Sequence, residues 1–367
     1  QGLLGKSIAI ESFTLQSNKH RAFRAVSSIG SNLTALLKIG IESCNFHFNH
    51  SLSLSNGKYS GKIRPKIIKT QDFCLLLSYR MKKTMKTPLY INVNGRLMDL
   101  SEPQVMGILN VTPDSFYAGS RSETEKDIVQ RLHQIIDEGA SIIDIGGYSS
   151  RPNAEHISAE EEMSRLRNGL EIIRKHHPDA VVSVDTFRAD VAKMCVEEYG
   201  VAIINDISAG QMDEQMFPTI AKLGVPYIIM HMKGTPKDMQ VSPTYAHFLK
   251  EVFYYFSEKV QRLRDLDVKD IIIDPGFGFG KTLEHNYELM NHLEEFSLFE
   301  LPLLVGVSRK SMIYKLLGTT PEEALNGTTA LHTIALLKGA HILRVHDVKE
   351  AVESIKIVQK MKACQAF

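Results

Sequence analysis

The sequence predicts an α/β protein, a (β/α)8 TIM barrel of parallel strands, with a short N-terminal hairpin lead and a basic N-terminal extension. From residue 89 onward, eight short apolar runs alternate with helix-length amphipathic stretches. Polar side chains recur at the ends of those runs, which is where barrels of this type carry their active sites. The chain has 367 residues, which leaves ample length for a barrel of roughly 250 residues.

The eight runs are apolar on both faces, as buried parallel strands are. Helical periodicity between them is clearest at residues 245–266 and 322–337. A hairpin lead is predicted at residues 89–100, with a tight turn at Asn94-Gly95. A doubly wound open sheet gives the same alternation and is the alternative at this point. The strand candidates are residues 105–109, 142–145, 181–184, 202–204, 227–230, 271–273, 303–307 and 342–345.

Residues 1–88 differ in composition from residues 89–367, which we take as the barrel domain. The first segment has 14 Lys/Arg and 3 Asp/Glu, whereas the remainder has 29 Lys/Arg and 39 Asp/Glu. We expect a basic extension that is disordered or absent from the mature protein, and the favoured account is upstream sequence ahead of a start at Met81 or Met85. A mitochondrial-type transit peptide and a nucleic-acid-binding tail are the alternatives. The acidic remainder argues against nucleic-acid binding.

Cysteine usage and hydropathy bear on the cellular environment. The 4 cysteines are scattered and form no CxxC pair, so neither a zinc site nor a disulfide framework is predicted. No apolar run approaches the roughly 18 to 20 residues that span a bilayer, and no secretory signal pattern is present. We therefore expect no membrane association and a cytoplasmic location, or a mitochondrial one if the extension is a transit peptide.

Polar residues follow the predicted strands with unusual regularity. Helix N-capping accounts for some of them. It does not account for Asp185 and Asp274, because each ends an almost purely apolar run, where a charge needs a partner or a ligand. The set consists of Asn110, Asp185, Asn205, Asp206, His231, Asp274, residues 308–310 and His346, with Arg344 inside the last run.

These side chains divide into two chemical groups, which implies a ligand with two unlike parts. Carboxylates and amides suit a flat heterocycle with a guanidine-like edge, such as a pterin. Guanidinium groups suit a phosphate or pyrophosphate, and Asn110 could offer an oxygen to Mg²⁺ that bridges phosphate oxygens. The hydrogen-bonding group is Asp185, Asn205, Asp274 and Lys310, and the cationic group is Arg151, Arg344 and His346.

Eight sequence strings, one for each predicted strand, are similar to the signatures of dihydropteroate synthases. They occur in the family's order, and the resemblance covers roughly residues 89–362. Their number and order make the resemblance very specific. The strings are GILNVTPDSF (residues 107–116), IDIGGYSSRP (143–152), SVDTFR, INDISAG, MHMKGTP, DPGFGFGK, GVSRKSM and RVHDV.

The resemblance implies a transferase of folate biosynthesis that condenses 6-hydroxymethyl-7,8-dihydropterin pyrophosphate with p-aminobenzoate. In this family the loss of pyrophosphate leaves a carbocation beside the electron-rich pterin, and the arylamine attacks it. No nucleophilic side chain is needed, so positioning and charge stabilisation carry the catalysis. The resemblance also implies Mg²⁺, small-molecule substrates, a target of sulfonamides and a homodimer.

Site roles carry over onto matching positions of this sequence. The pterin ligands would be Asp185, Asn205, Asp274, Lys310, Arg344, Met230 and Phe279. The p-aminobenzoate site would comprise Phe116, Ser150, Arg151, Pro152 and Ser311. Pyrophosphate would be held by Asn110, Arg344 and His346, the metal by Asn110, and catalysis would rest on Lys310, Arg344 and His346.

Some positions depart from the common pattern or leave a choice open. In the second loop Tyr148 and Ser150 replace the family's frequent Glu and Thr, and Asn153 replaces Gly. Losing one methyl at Ser150 is expected to alter the packing of p-aminobenzoate or its sulfonamide mimics modestly. Met230 is either core filler or a contact on the pterin face.

Other functional readings fit the strand ends less well. A methyltransferase that binds methyltetrahydrofolate would keep the acidic and amide residues but would have no use for SSRP, VSRKS and RVHDV together. A pterin-binding module without catalysis would not need the intact set. The string DPGFGFGKT fails as a phosphate loop because Pro275 replaces the first glycine, and it fails as GxGxxG because Lys281 replaces the last.

Overall fold

The computed structural model describes residues 89–111, 121–148, 157–234 and 243–364, with side chains omitted at 121–124. The predicted division into a 1–88 extension and an 89–367 barrel falls partly outside this range, so it stays a prediction. The predicted hairpin is confirmed: strands β1 (Tyr90–Val93) and β2 (Arg96–Asp99) pair antiparallel. Its turn uses positive φ at Asn94 (52°) and Gly95 (79°), as a two-residue hairpin turn of this hand requires.

Eight further strands form one parallel sheet in the order β8-β7-β6-β5-β4-β3-β10-β9. The two ends of this order meet, because Ile273 forms a parallel bridge with Leu303 and its amide donates to the Pro302 carbonyl at 2.9 Å. The sheet is therefore a barrel, which excludes the open-sheet alternative. The strands are β3 (Gln104–Asn110), β4 (Ile142–Gly146), β5 (Val182–Asp185), β6 (Ile203–Asp206), β7 (Tyr227–Met230), β8 (Ile271–Asp274), β9 (Leu304–Val305) and β10 (Ile342–Val345).

One predicted strand is much shorter than expected. Residues 303–307 were predicted as a strand, yet β9 contains only Leu304 and Val305. The chain turns immediately afterwards: the Lys310 amide donates to the Val307 carbonyl at 3.1 Å, and Arg309 has a φ of 53°. This early turn brings Lys310 back to the barrel opening.

Helices follow the strands along the chain and pack against them. The predicted helices at 245–266 and 322–337 begin later than expected, at Phe248 and Leu325. In the second case residues 320–324 form a turn, in which the Glu323 amide donates to Thr320. The helices are α1 (Arg121–Asp137), α2 (Ala159–His176), α3 (Ala189–Tyr199), α4 (Met216–Leu223), α5 (Phe248–Asp265), α6 (Leu283–Asn291), α7 (Ser311–Leu317), α8 (Leu325–Leu337) and α9 (Val348–Ala363), with a 3₁₀ helix at Leu293–Phe299.

The buried apolar side chains form three layers. The largest lies between strands and helices, and a second fills the barrel interior near the strand starts, where Ile91 and Val93 of the hairpin pack on residues such as Met106. A third, smaller cluster lies at the strand ends and contains Phe187, Met230 and Phe279. Side chains alternate between the two faces of a strand, so a residue two positions after an interior apolar residue also faces the barrel axis. Several of the polar residues at the strand ends occupy such positions.

Candidate active site at the carboxyl ends of the strands

Four positions at the strand ends lie side by side across the sheet. In the strand register Asn110 pairs with Gly146, Gly146 with Asp185, and Asp185 with Asn205. Gly146 leaves room between its neighbours: a Cβ built there would lie 3.6 Å from Asp185 Cβ and 3.9 Å from Asn110 Oδ1. The structure therefore brings these predicted ligands of phosphate and pterin together on one side of the barrel mouth.

Arg344, in β10, reaches across this mouth to two carboxylates. Its Nε donates to Asp144 Oδ2 at 2.6 Å, and its Nη2 donates to Asp185 Oδ2 at 2.8 Å. Burial alone would lower the pKa of Arg344, but the two carboxylates outweigh it and raise that pKa. The guanidinium is therefore a permanent cation held in place by two anions.

Asp144 is a site residue that the sequence reasoning missed. It is completely buried in β4, and its Oδ2 also accepts a 3.2 Å hydrogen bond from Asn205 Nδ2. Its Oδ1 is buried and has no hydrogen-bond partner among the described residues. The signal was present, because Asp144 interrupts the run IIDIG and lies two positions before Gly146, on the same interior face.

The opposite side of the mouth is formed by Asp274 and Lys310. A Cβ built on Gly306 would lie 3.9 Å from Lys310 Nζ, 4.0 Å from Asp274 Oδ2 and 3.9 Å from Arg344 Cβ. These three side chains therefore converge on one small space. Burial lowers the pKa of Lys310 to about 8, against the opposing effect of Asp274, and burial raises the pKa of Asp274.

A glycine-rich loop after β8 completes this side. The Lys310 ammonium donates to the Phe277 carbonyl and lies 4.7 Å from the centre of the Phe279 ring. Phe279 packs on the cluster that contains Met230, whose side chain is only 3% exposed. The predicted pterin contacts Met230 and Phe279 thus belong to one apolar patch beside Lys310.

His346 differs from what the sequence predicted, because it was grouped with the cations. Burial and the neighbouring charge of Arg344 lower the pKa of His346 to about 4, so the ring is neutral at neutral pH. Its Nδ1 lies 3.1 Å from Ser308 Oγ. Arg309, which follows Ser308 in the chain, forms an ion pair outside the proposed ligand set: its guanidinium donates two hydrogen bonds to the Asp347 carboxylate, at 2.9 and 2.8 Å.

The remaining strand-end residues do not all join the site. Asp206 was counted with Asn205, yet its carboxylate accepts from Ser208, Gly210 and Tyr227 and so has a structural role. Ser311 begins α7 directly after Lys310. The predicted p-aminobenzoate residues Phe116, Ser150, Arg151 and Pro152 lie outside the described residues. Within the described ranges, no group of three or more His, Cys, Asp or Glu side chains could hold a metal ion.

Comparison with known proteins shows which family the chain resembles. Residues 106–346 match the family described as pterin binding enzyme. The chain is 45% identical over 267 residues to the dihydropteroate synthase of Escherichia coli strain K12, an alignment that covers 72% of this chain and 94% of the relative. It is 40% identical over 269 residues to the dihydropteroate synthase of Haemophilus influenzae, which covers 72% and 96% of the two chains.

The chain belongs to the dihydropteroate synthase family. Dihydropteroate synthases are transferases of folate synthesis that condense a dihydropterin pyrophosphate with p-aminobenzoate. A structure of the Yersinia pestis dihydropteroate synthase in complex with a sulfonamide drug superposes with a TM-score of 0.70 at 42% identity, covering 75% of this chain and 100% of that one. The Xanthomonas albilineans dihydropteroate synthase with 4-aminobenzoic acid gives a TM-score of 0.70 at 35% identity, with coverage of 76% and 99%.

In the described part of the chain, none of the helices has the length and apolar character that crossing a bilayer demands. The glycine string DPGFGFGK forms a tight loop, with positive φ at Gly276, Gly278 and Gly280. This loop positions Phe277 and Phe279 beside Lys310.

Proposed function

We propose that the strand-end network divides the dihydropteroate synthase reaction between a pterin pocket and a pyrophosphate clamp, with Arg344 shared by both. The observation that carries the proposal is the placement of Arg344 between Asp144 and Asp185. A guanidinium held by two carboxylates is fixed in orientation, so it can cover a flat ring without losing its charge.

The pterin pocket would use the anionic and amide side chains of the mouth. A carboxylate accepts two parallel N–H bonds from a guanidine-like ring edge, which Asp185 and Asp274 can offer from opposite sides. Asn205 can donate or accept at the ring, and it is already oriented by Asp144. The proposed pterin set is Asp185, Asn205, Asp274, Lys310 and Arg344, with Met230 and Phe279 as apolar contacts.

The pyrophosphate clamp would combine Arg344 with His346 and Asn110. His346 is neutral before substrate binds, and the negative charge of a bound pyrophosphate would raise its pKa. The ring can then take up a proton from solvent as charge develops and donate to the leaving group from Nε2, because Nδ1 lies against Ser308 Oγ. Charge stabilisation of this kind is worth about 2.7 to 4 kcal/mol for each donor in comparable sites.

The p-aminobenzoate site would lie next to Lys310, built from Ser311 and from residues of the two loops outside the described range. Those residues are Phe116, Ser150, Arg151 and Pro152. The amine of p-aminobenzoate would attack the pterin carbon as pyrophosphate leaves, and no protein nucleophile takes part. Positioning of the two reactants close together would supply much of the rate enhancement.

Magnesium is proposed as the metal of this site, with Asn110 as its protein ligand. The donor set fits, because Mg²⁺ is often held by one or two protein oxygens and otherwise by water and phosphate. The absence of a group of three or more metal-ligating side chains among the described residues agrees with a metal that depends on substrate oxygens. When bound, the ion would neutralise charge on the leaving pyrophosphate.

The assay for the whole proposal measures pyrophosphate release from the dihydropterin pyrophosphate. We expect release that requires both p-aminobenzoate and Mg²⁺, inhibition by a sulfonamide, and loss of pterin binding in Asp185→Asn. Asp213→Asn is the control, because Asp213 caps the Ala189 amide of α3 and lies outside the network. Release that is independent of p-aminobenzoate would contradict the proposal.

A homodimer is proposed from an exposed apolar patch on α7, α8 and α9. Six apolar side chains on these helices are between 38% and 68% exposed. The three helices pack in sequence, and Lys362 of α9 donates to the Leu336 carbonyl of α8 at 2.7 Å. Exposed apolar side chains on neighbouring helices of this kind can mark interaction surfaces. The patch comprises Leu316, Leu317, Ile334, Leu337, Ile357 and Met361.

Light scattering on the purified chain tests the dimer. We expect a dimer for the native chain and a monomer for Ile357→Glu, which places a charge in the patch. Leu298→Glu is the matched control, because Leu298 is 79% exposed but lies in the 3₁₀ helix outside the patch. A dimer that survives Ile357→Glu would place the interface elsewhere.

We also propose a cytoplasmic location, consistent with the free thiols of Cys195 and Cys364.

A further inference from the structure

A buried lysine outside the proposed ligand set lies directly behind the pterin side of the mouth. Lys281 is only 4% exposed, and its ammonium contacts four acceptors. The carbonyls of Gly276 and Phe279 accept at 2.8 and 3.1 Å, and the His231 carbonyl accepts at 3.2 Å. The fourth contact is His231 Nδ1 at 2.8 Å.

The acceptors show what this lysine holds together. Two of them belong to the loop of residues 276–280 and two belong to His231, directly after β7. Among the described residues, no carboxylate forms an ion pair with Lys281, and burial lowers its pKa well below the ordinary value. Burying a cation without an opposite charge beside it is costly. Apolar side chains could close this space at less cost, so the lysine needs an explanation beyond packing.

The loop it holds is pressed against the neighbouring backbone. A Cβ at Gly276 would collide with the His231 carbonyl, and a Cβ at Gly280 would collide with the Lys233 carbonyl. Both glycines have positive φ, 72° and 59°. The loop is therefore confined to one narrow shape, and Lys281 supplies the hydrogen bonds that close it.

That shape controls two proposed pterin ligands. The Gly276 amide donates to Asp274 Oδ1 at 2.8 Å, and the Phe277 carbonyl accepts from Lys310. A shift of the loop would move both the acceptor that anchors Lys310 and the donor that orients Asp274.

We infer that Lys281 is a positioning residue for the pterin half of the site, acting through the carbonyls of Gly276 and Phe279. It does not touch substrate. Lys281 holds the loop through the carbonyls of Gly276 and Phe279, whereas Lys310 binds the same loop through the Phe277 carbonyl. This inference rests on the proposed roles of Asp274 and Lys310 in pterin binding.

The test replaces the lysine with an unbranched apolar side chain, Lys281→Met. We expect the KM for the dihydropterin pyrophosphate to rise about tenfold while the KM for p-aminobenzoate changes less than about twofold. A merely structural role would reduce the amount of folded enzyme and leave both KM values unchanged. Unchanged KM values in folded Lys281→Met would overturn the inference, and so would an equal rise in both.

Two further variants keep the outcome decisive. Lys259→Met is the matched control, because Lys259 is also buried, at 5% exposure, but lies on α5 with its ammonium 5.5 Å from the Tyr255 ring centre. We expect it to leave both KM values unchanged.

If Lys281→Met fails to fold, His231→Phe tests the inference instead. This variant keeps an aromatic ring but removes one acceptor of Lys281, and we expect the pterin KM to rise about threefold. An unchanged pterin KM there would overturn the inference.

Asp274→Asn, measured in parallel, separates this inference from the proposed function. We expect it to raise the pterin KM. A raised KM in Asp274→Asn with no effect of Lys281→Met would leave the pterin pocket intact and remove only the role of Lys281. No effect of Asp274→Asn would instead remove the proposed pterin pocket.

Discussion

Arg344 donates a 2.6 Å hydrogen bond to Asp144, a fully buried carboxylate 200 residues away in the chain. Asp144 also accepts from Asn205, so a single carboxylate orients one proposed clamp residue and one proposed pterin ligand. Removing one member of such a buried pair is costly, at about 3 to 5 kcal/mol, because the other charge is left uncompensated.

Asp144→Asn tests the residue that supports the network from below. The amide keeps the shape but loses the charge that holds Arg344, so we expect kcat/KM to fall roughly tenfold. Because Asp185 still pairs with Arg344, we expect stability to fall by only about 1 to 3 kcal/mol, less than for a charge left without any opposite charge. Steady-state kinetics and urea unfolding measure the two effects. Asp179→Asn is the control, an exposed aspartate before β5 at the other end of the barrel. Unchanged kcat/KM in Asp144→Asn would show that Arg344 does not need this anchor.

Gly306→Ala tests whether the space among Asp274, Lys310 and Arg344 receives the pterin. The added methyl meets its nearest protein atoms at 3.9 to 4.0 Å, which is ordinary contact, so we expect normal thermal stability. The methyl would occupy volume that the ring needs, and we expect the pterin KM to rise about tenfold. A normal pterin KM would show that the ring binds elsewhere.

Gly169→Ala is the matched control for that experiment. Gly169 lies in α2, and a Cβ there would meet Val111 Cγ1 at 3.0 Å and press on Ile145. We expect this variant to lower the melting temperature while leaving the pterin KM unchanged. The two variants therefore add the same methyl group with opposite consequences for stability and substrate binding.

The pH dependence of the reaction follows from Asp185 and Lys310, because burial moves the pKa values of both groups toward neutral pH. Burial raises the pKa of Asp185 to about 7, although Arg344 opposes it, and burial lowers the pKa of Lys310 to about 8. Asp185 must be ionised to accept from the pterin, so kcat/KM for the pterin substrate rises as pH passes the first value. It falls as Lys310 loses its proton above the second. We expect a narrow bell-shaped profile whose limbs belong to the network as a whole.

Initial rates at constant ionic strength measure this profile, with circular dichroism to confirm that the chain stays folded. An acid limb below about pH 5 would contradict the prediction, because it would mean that burial does not govern ionisation of the site. A profile without a basic limb up to about pH 10 would remove Lys310 from the mechanism.

The sequence predicted the barrel and most of its mouth because both depend on local patterns. Asp185 and Asp274 were found since each ends an apolar run, and a charge at such a place requires a partner. Asp144 was missed because it lies inside a run that was taken as wholly apolar. A charge inside that run was a local signal, but its pairing with Arg344, 200 positions away, leaves no local trace.

Two other features depended on burial that sequence patterns do not show. His346 was correctly placed at the mouth, but its neutral state arises from burial and from the nearby Arg344. Lys281 entered the sequence analysis only as the residue that spoils a glycine motif. Its contacts with His231, 50 residues earlier, appear only when β7 and β8 pair.

The variant Arg344→Ala tests most directly whether Arg344 serves the leaving pyrophosphate as well as the pterin. In the assay of p-aminobenzoate-dependent pyrophosphate release we expect turnover at least about a hundredfold below the native chain, since one cationic contact is worth about 2.7 to 4 kcal/mol. Arg262→Ala, on the exposed face of α5, should retain native turnover. Near-native turnover in folded Arg344→Ala would contradict the account.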